Sequence, residues 1–130
     1  MTMMNTEKKR ILVVDDEPSI TRLLKLNLEQ TNHYVVMAEN DAEAAVATAE
    51  KFKPHLILLD VMMPGLDGGE LANRFQASPE LKSVPIVFLT AAATKGEVYS
   101  RGGQVGGLTF LAKPVEMSEV VACLRQHLGG

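Results

Sequence analysis

Apolar residues gather in five short runs along the chain, at 11–14, 34–37, 56–59, 86–89 and 108–111. The first, third and fourth, ILVV, LILL and IVFL, lack the alternation of a half-exposed strand, which predicts strands buried on both faces of a parallel sheet. Between the runs, apolar positions return at helical spacing: Ile20, Leu23, Leu24 and Leu28, then Ala42, Ala45, Val46 and Ala49, then Leu71 and Phe75, and finally Val121, Leu124 and Leu128. Pro18 suits the first turn of a helix, where a missing N–H costs nothing, and Asn40-Asp41 can cap the second. Segment 95–107 carries five glycines and few apolar positions, so its helix is expected to be short and marginal.

Strand and helix alternating five times imply right-handed crossovers with helices on both faces. The expected fold is a three-layer, flavodoxin-like α/β domain with a parallel five-stranded sheet of order 2-1-3-4-5 and ligands at the carboxyl ends of the strands. A length of 130 residues with 46% hydrophobic content matches one domain, expected over residues 10–130 behind a disordered tail at 1–9.

Net charge is −3, and the basic cluster Lys8-Lys9-Arg10 reads as a solvated tail, so no electrostatic footprint for nucleic acid is expected. The apolar runs are too short to span a bilayer or to form a secretory signal, which predicts a soluble, cytoplasmic protein. Cys123 is the only cysteine, excluding an internal disulfide and a multi-cysteine metal site, and its periodic setting suggests packing.

The fold makes a sharp demand on the residues that end each strand. They are Asp15-Asp16 after the first, Asp60 after the third, Thr90 after the fourth and Lys113 after the fifth. In the expected order these strands are neighbours, so three carboxylates, a hydroxyl and an ammonium converge. One lysine cannot offset three acids, and a divalent cation is the natural remedy. Carboxylates without histidine or cysteine favour a hard ion, and a small set leaving places for water and phosphate oxygens favours Mg2+. Magnesium suggests phosphate chemistry, with Asp60 as nucleophile toward phosphorus, Lys113 and Thr90 on phosphoryl oxygens, and a backbone carbonyl of the turn Met62-Met63-Pro64-Gly65 brought to the metal.

At these residues the chain resembles the receiver domain of bacterial two-component response regulators, through ILVVDDEP, LILLDVMMPGLDG, PIVFLTA and FLAKP in the right order. The resemblance implies that Asp60 accepts a phosphoryl group from a phosphohistidine on a histidine kinase or histidine phosphotransfer protein. It implies Mg2+ held by Asp15, Asp16, Asp60 and the Met62 carbonyl, contacts from Lys113 and Thr90 to the phosphoryl group, and a switch aromatic at Phe110. It also implies a cis Lys113-Pro114 bond, a downstream protein target, and a monomer or phosphorylation-dependent dimer with no direct nucleic-acid or membrane contact. Residue type alone leaves Phe110 between core aromatic and switch. The sequence departs from the family pattern at Gly106-Gly107-Leu108-Thr109, where the family usually carries Gly-Ala and polar residues.

GGQVGGLT nearly fits a phosphate loop, but Leu108 stands where the lysine must be and a strand follows. His33 and His55 precede strands and belong at the opposite end of the sheet, and His127 lies near the carboxyl terminus. Asp67 suits a turn or helix cap, and Glu17 is placed at the rim without a coordinating role. Two other functions compete with the switch. An aspartyl-phosphate phosphohydrolase would carry an acid two residues beyond its nucleophile, where Met62 stands. A phosphorylation-independent interaction module would have no use for crowded acids.

Overall fold

In the computed structural model, residues 8–61, 63, 68–90, 104–105 and 108–129 are described. The chain runs β1 (Lys9–Val14), α1 (Pro18–Gln30), β2 (Tyr34–Glu39), a 3-10 turn (Ala42–Ala44) leading into α2 (Ala45–Phe52), and β3 (Leu56–Asp60). It continues through α3 (Gly68–Ala77), β4 (Ile86–Thr90), β5 (Gln104–Val105), β6 (Leu108–Ala112) and α4 (Met117–Leu128). Among the described residues no helix is long and apolar enough to cross a membrane.

Local chemistry explains the boundaries. Pro18 occupies the first turn of α1, where its lost N–H has no helical partner. The reversal into β2 uses Asn32 at φ 66°, a left-handed conformation that asparagine tolerates better than most side chains. Asp41 caps the 3-10 turn by accepting the Glu43 N–H on its side chain at 3.0 Å, and Lys53 ends α2 in the left-handed region. The buried stripe of α1 runs through Thr21, Leu24 and Leu28, spaced three and four apart. Leu23 lies about 100° off that stripe and is 49% exposed, so the apolar pattern misassigns it to the core.

Five strands pair in parallel in the order β2-β1-β3-β4-β6, as the alternation predicts. Beyond β6, β5 adds an antiparallel edge of two residues, too short for a periodic signal. Val105 sits in that edge rather than in the marginal helix expected of 95–107, whose other residues, Gln104 excepted, lie outside the described residues.

The sheet divides two cores. On one face Ile11, Val13, Leu56, Leu58 and Leu89 meet Leu24 and Leu28 of α1 and Val120, Cys123 and Leu124 of α4. On the other, Leu12, Val14, Ile57 and Leu59 meet Ala45 and Ala49 of α2 and Leu71 and Phe75 of α3. All five residues of β3 are buried, which is why LILL shows no alternation. Each fully buried leucine or isoleucine contributes roughly 1.5–3 kcal/mol, so the strands that carry the polar ends are the most firmly held part of the sheet.

Candidate functional site

Strand register sets the site. Val14 pairs with Leu59, so Asp15 stands level with Asp60, the last residue of β3. Asp60 in turn pairs with Leu89 and Thr90 with Ala112, placing Thr90 and then Lys113 one step further along. The main chain joins the last two directly, since the Lys113 N–H donates to the Thr90 carbonyl at 2.9 Å. Asp15 is 0% exposed, Asp60 3% and Thr90 4%, while Asp16 is exposed.

One oxygen from each of Asp15, Asp16 and Asp60 falls within 4.8 Å of the other two. At that separation each charged pair repels by about 3–4 kcal/mol for an effective dielectric near 20. Lys113 is the counter-charge, its Nζ lying 2.8 Å from Asp15 Oδ2 and 3.2 Å from Asp60 Oδ1. Glu17 Oε1 stands 3.8 Å from the same ammonium at the exposed rim. Burial is the largest single influence on the Lys113 ammonium and by itself favours losing the proton. Attraction to the close carboxylate of Asp15, then to that of Asp60, outweighs it and holds the pKa above the ordinary lysine value. The lysine is therefore cationic, and among the described residues one ammonium stands against the three carboxylates of the cluster.

The donor set fits a small hard cation. Asp15 Oδ1 accepts the Glu17 N–H at 3.0 Å, which fixes the carboxylate, while Oδ2 is buried without a hydrogen-bond donor in alignment. Lys113 is near Oδ2 in distance but off the angle of a hydrogen bond, so the contact is electrostatic and the lone pairs stay available. Three carboxylates with no sulfur or imidazole ligand in the cluster suit Mg2+ or another oxygen-preferring ion.

Of the residues predicted for the site, Asp15, Asp16, Asp60 and Lys113 come together as read, with Thr90 beside them on the backbone of Lys113. The expected Met62 carbonyl ligand lies outside the described residues, as do Pro64, Gly65 and Asp67. Phe110 is half-buried and stacks on Phe88 with centroids 5.2 Å apart, alongside the α2–α3 core. The Lys113-Pro114 bond is cis, as the resemblance implies. His55 is at the far end of the sheet, accepting the Arg10 N–H on Nδ1, and His127 lies beside Thr109 and Cys123.

The apolar pattern misses Asn40 and Thr21. Asn40 reads from sequence only as a helix cap, yet its Nδ2 donates to the Asp15 carbonyl at 2.8 Å and lies 3.0 Å from Thr21 Oγ1. A polar residue inside the apolar stripe of α1 was the available signal, because a buried hydroxyl needs partners.

Residues 11–125 match the family described as the response regulator receiver domain. The transcriptional regulatory protein ResD of Bacillus subtilis is 43% identical over 121 residues, covering 92% of this chain and 48% of ResD. The chain thus spans about half the length of such regulators. Protein PilH of Pseudomonas aeruginosa is 32% identical and is matched over 98% of its own length and 93% of this chain. Among solved structures, the receiver domain of a sensor histidine kinase from Pseudomonas aeruginosa PAO1, with a magnesium ion coordinated in its active-site cleft, superposes with a TM-score of 0.78 at 29% identity. That match covers 95% of this chain and all of the other. Sheet order, strand-end residues and these likenesses agree: the chain belongs to the response regulator receiver domain family.

Proposed function

We propose that this chain is a phosphorylation-controlled signalling switch in which Asp60 accepts a phosphoryl group from a phosphohistidine on a histidine kinase or histidine phosphotransfer protein. The observation that carries the reading is the single ammonium of Lys113 shared between Asp15 and Asp60 inside a cluster of three carboxylates. Asp15, Asp16 and Asp60 would hold Mg2+, with the Met62 carbonyl as a further ligand. The ion, when bound, supplies positive charge to the phosphoryl oxygens and relieves the repulsion among the acids.

The residues of the chain perform the rest. The sheet holds Asp60 in place, so one carboxylate oxygen stands ready for in-line attack on phosphorus. A bond forms from that oxygen to phosphorus as the phosphorus–nitrogen bond of the partner's phosphohistidine breaks, and the freed imidazole keeps the electron pair. Lys113, already paired with Asp60, transfers its ammonium to a phosphoryl oxygen as charge builds there. The Thr90 hydroxyl closes on another.

A phosphoryl group carrying about −1.5 to −2 charge at Asp60, in place of the single charge of the free carboxylate, favours the conformation in which Thr90 and Lys113 have closed. In this reading Phe110, which stacks on Phe88 of the strand that carries Thr90, would report that change toward a downstream protein target. The chain turns over no external substrate in this reading. Incubation with Mg2+ and a small phosphodonor should add one phosphoryl mass to the intact protein and none to Asp60→Asn. An unmodified wild type with native circular dichroism would rule the reading out.

A further inference from the structure

Asp15 offers four polar handles, and three are committed. Its N–H donates to the Glu39 carbonyl at 3.1 Å, its Oδ1 accepts the Glu17 N–H at 3.0 Å, and its own carbonyl accepts from Asn40 Nδ2 at 2.8 Å. Oδ2 carries no hydrogen bond and faces the Lys113 ammonium at 2.8 Å. Two consecutive residues at the end of β2, Glu39 and Asn40, therefore clamp both peptide groups of the first metal-facing acid, one through main chain and one through side chain.

The orientation of the Asn40 amide follows from chemistry, because a backbone carbonyl only accepts and the nitrogen must face Asp15. The second N–H of the same nitrogen meets Thr21 Oγ1 at 3.0 Å, and that hydroxyl donates to the Pro18 carbonyl at 3.2 Å. Thr21 is 2% exposed and opens the inner stripe of α1, which continues through Leu24 and Leu28. A hydroxyl buried there costs stability unless both its donor and acceptor sides are used, and here both are.

We propose that Asn40, backed by Thr21, is a positioning residue for the carboxylate cluster. The carbonyl that Asn40 holds belongs to the peptide plane joining Asp15 to Asp16. Rotation of that plane leaves Asp15 anchored by its other bonds but swings Asp16, an exposed residue whose short side chain follows its backbone. Metal ligands work only when held within about 0.5 Å of the productive geometry. Asn40 thus sets where the third carboxylate stands relative to Asp60 and ties the β2–α2 connection to the metal site. The inference rests on reading the cluster as a Mg2+ site.

Calorimetric titration with Mg2+ should give Asn40→Ala a dissociation constant about tenfold above wild type, the usual scale for losing a residue that orients a ligand. Phosphorylation by a small phosphodonor should show the same displacement in half-saturating Mg2+ with an unchanged plateau rate, a split that mere loss of folded protein would not produce. Thr21→Ser, which keeps the hydroxyl, should retain wild-type affinity, and Thr21→Val should weaken it. In metal-free protein, the amide order parameter of Asp16 should fall in Asn40→Ala from about 0.85 to below about 0.6. Wild-type affinity together with a rigid Asp16 in Asn40→Ala would overturn the proposal, as would an equal loss in Thr21→Ser and Thr21→Val. A wild-type protein that takes up no Mg2+ would instead sink the metal-site reading, and the metal-free Asp16 measurement would still decide whether Asn40 holds that peptide.

Discussion

The ammonium of Lys113 lies 3.2 Å from the carboxylate of Asp60, and the same nitrogen is closer still, 2.8 Å, to Asp15. Removing this cation takes from two buried carboxylates the ammonium that they share. In chelator, Lys113→Ala should lose about 2–3 kcal/mol in urea unfolding, somewhat below the usual cost of breaking a fully buried pair because Asp16 opens the cluster to water. Asp60→Asn should move the other way, gaining about 1 kcal/mol, since two repulsions disappear for one lost attraction. Saturating Mg2+ should reverse the order of wild type and Asp60→Asn.

The outer edge of β2 is closed by side chains. Val36 donates its N–H to Glu29 Oε2 at 2.9 Å and accepts Lys25 Nζ on its carbonyl at 2.8 Å, while Lys25 and Glu29 pair at 3.0 Å. The Val36 N–H is the main reason the Glu29 carboxyl sits below its ordinary pKa of 4.5; burial opposes the shift and Lys25 assists it. A depressed folded pKa means stability present above the unfolded value and lost as pH falls through the folded one. Glu29→Ala should therefore cost about 1 kcal/mol near neutrality, a figure reduced for the exposure of the pair, and the difference from wild type should shrink as pH falls below 4.5 and through the folded pKa. Amide exchange at Val36 should quicken in the same variant.

Cys123 is buried between α4 and the sheet, and burial pushes its thiol up to about 11 from 9.0. It should resist alkylation at about pH 8 in folded protein and react promptly on unfolding. A raised folded pKa contributes stability that is intact below the unfolded value and lost as pH rises through the folded one. Wild type should lose stability between pH 9.0 and about 11 more steeply than Cys123→Ala does, and equal slopes would show that the thiol is not held in an apolar setting.

How much of this was legible beforehand follows from the range of each interaction. Asp60 and Thr90 announce themselves because each ends a run too apolar to be anything but a buried strand, and parallel pairing then brings the ends together. Asn40 does not, because its meaning depends on contacts 25 and 19 residues away, to Asp15 and Thr21, that no local period encodes. Leu23 misleads for a related reason: apolar residues at adjacent positions satisfy several helical stripes, and the polar Thr21 takes the inward place. The edge strand β5 is invisible because two residues carry no period.

The measurement that bears most directly on three acids sharing one ion is a Mg2+ titration followed by amide NMR on wild type and Asp60→Asn. In wild type, the amides from Asp15 to Glu17 and at Asp60 should shift together along one saturable curve, which weakens strongly in Asp60→Asn. Shifts confined to surface acids, or first-loop amides that ignore the loss of Asp60, would contradict it.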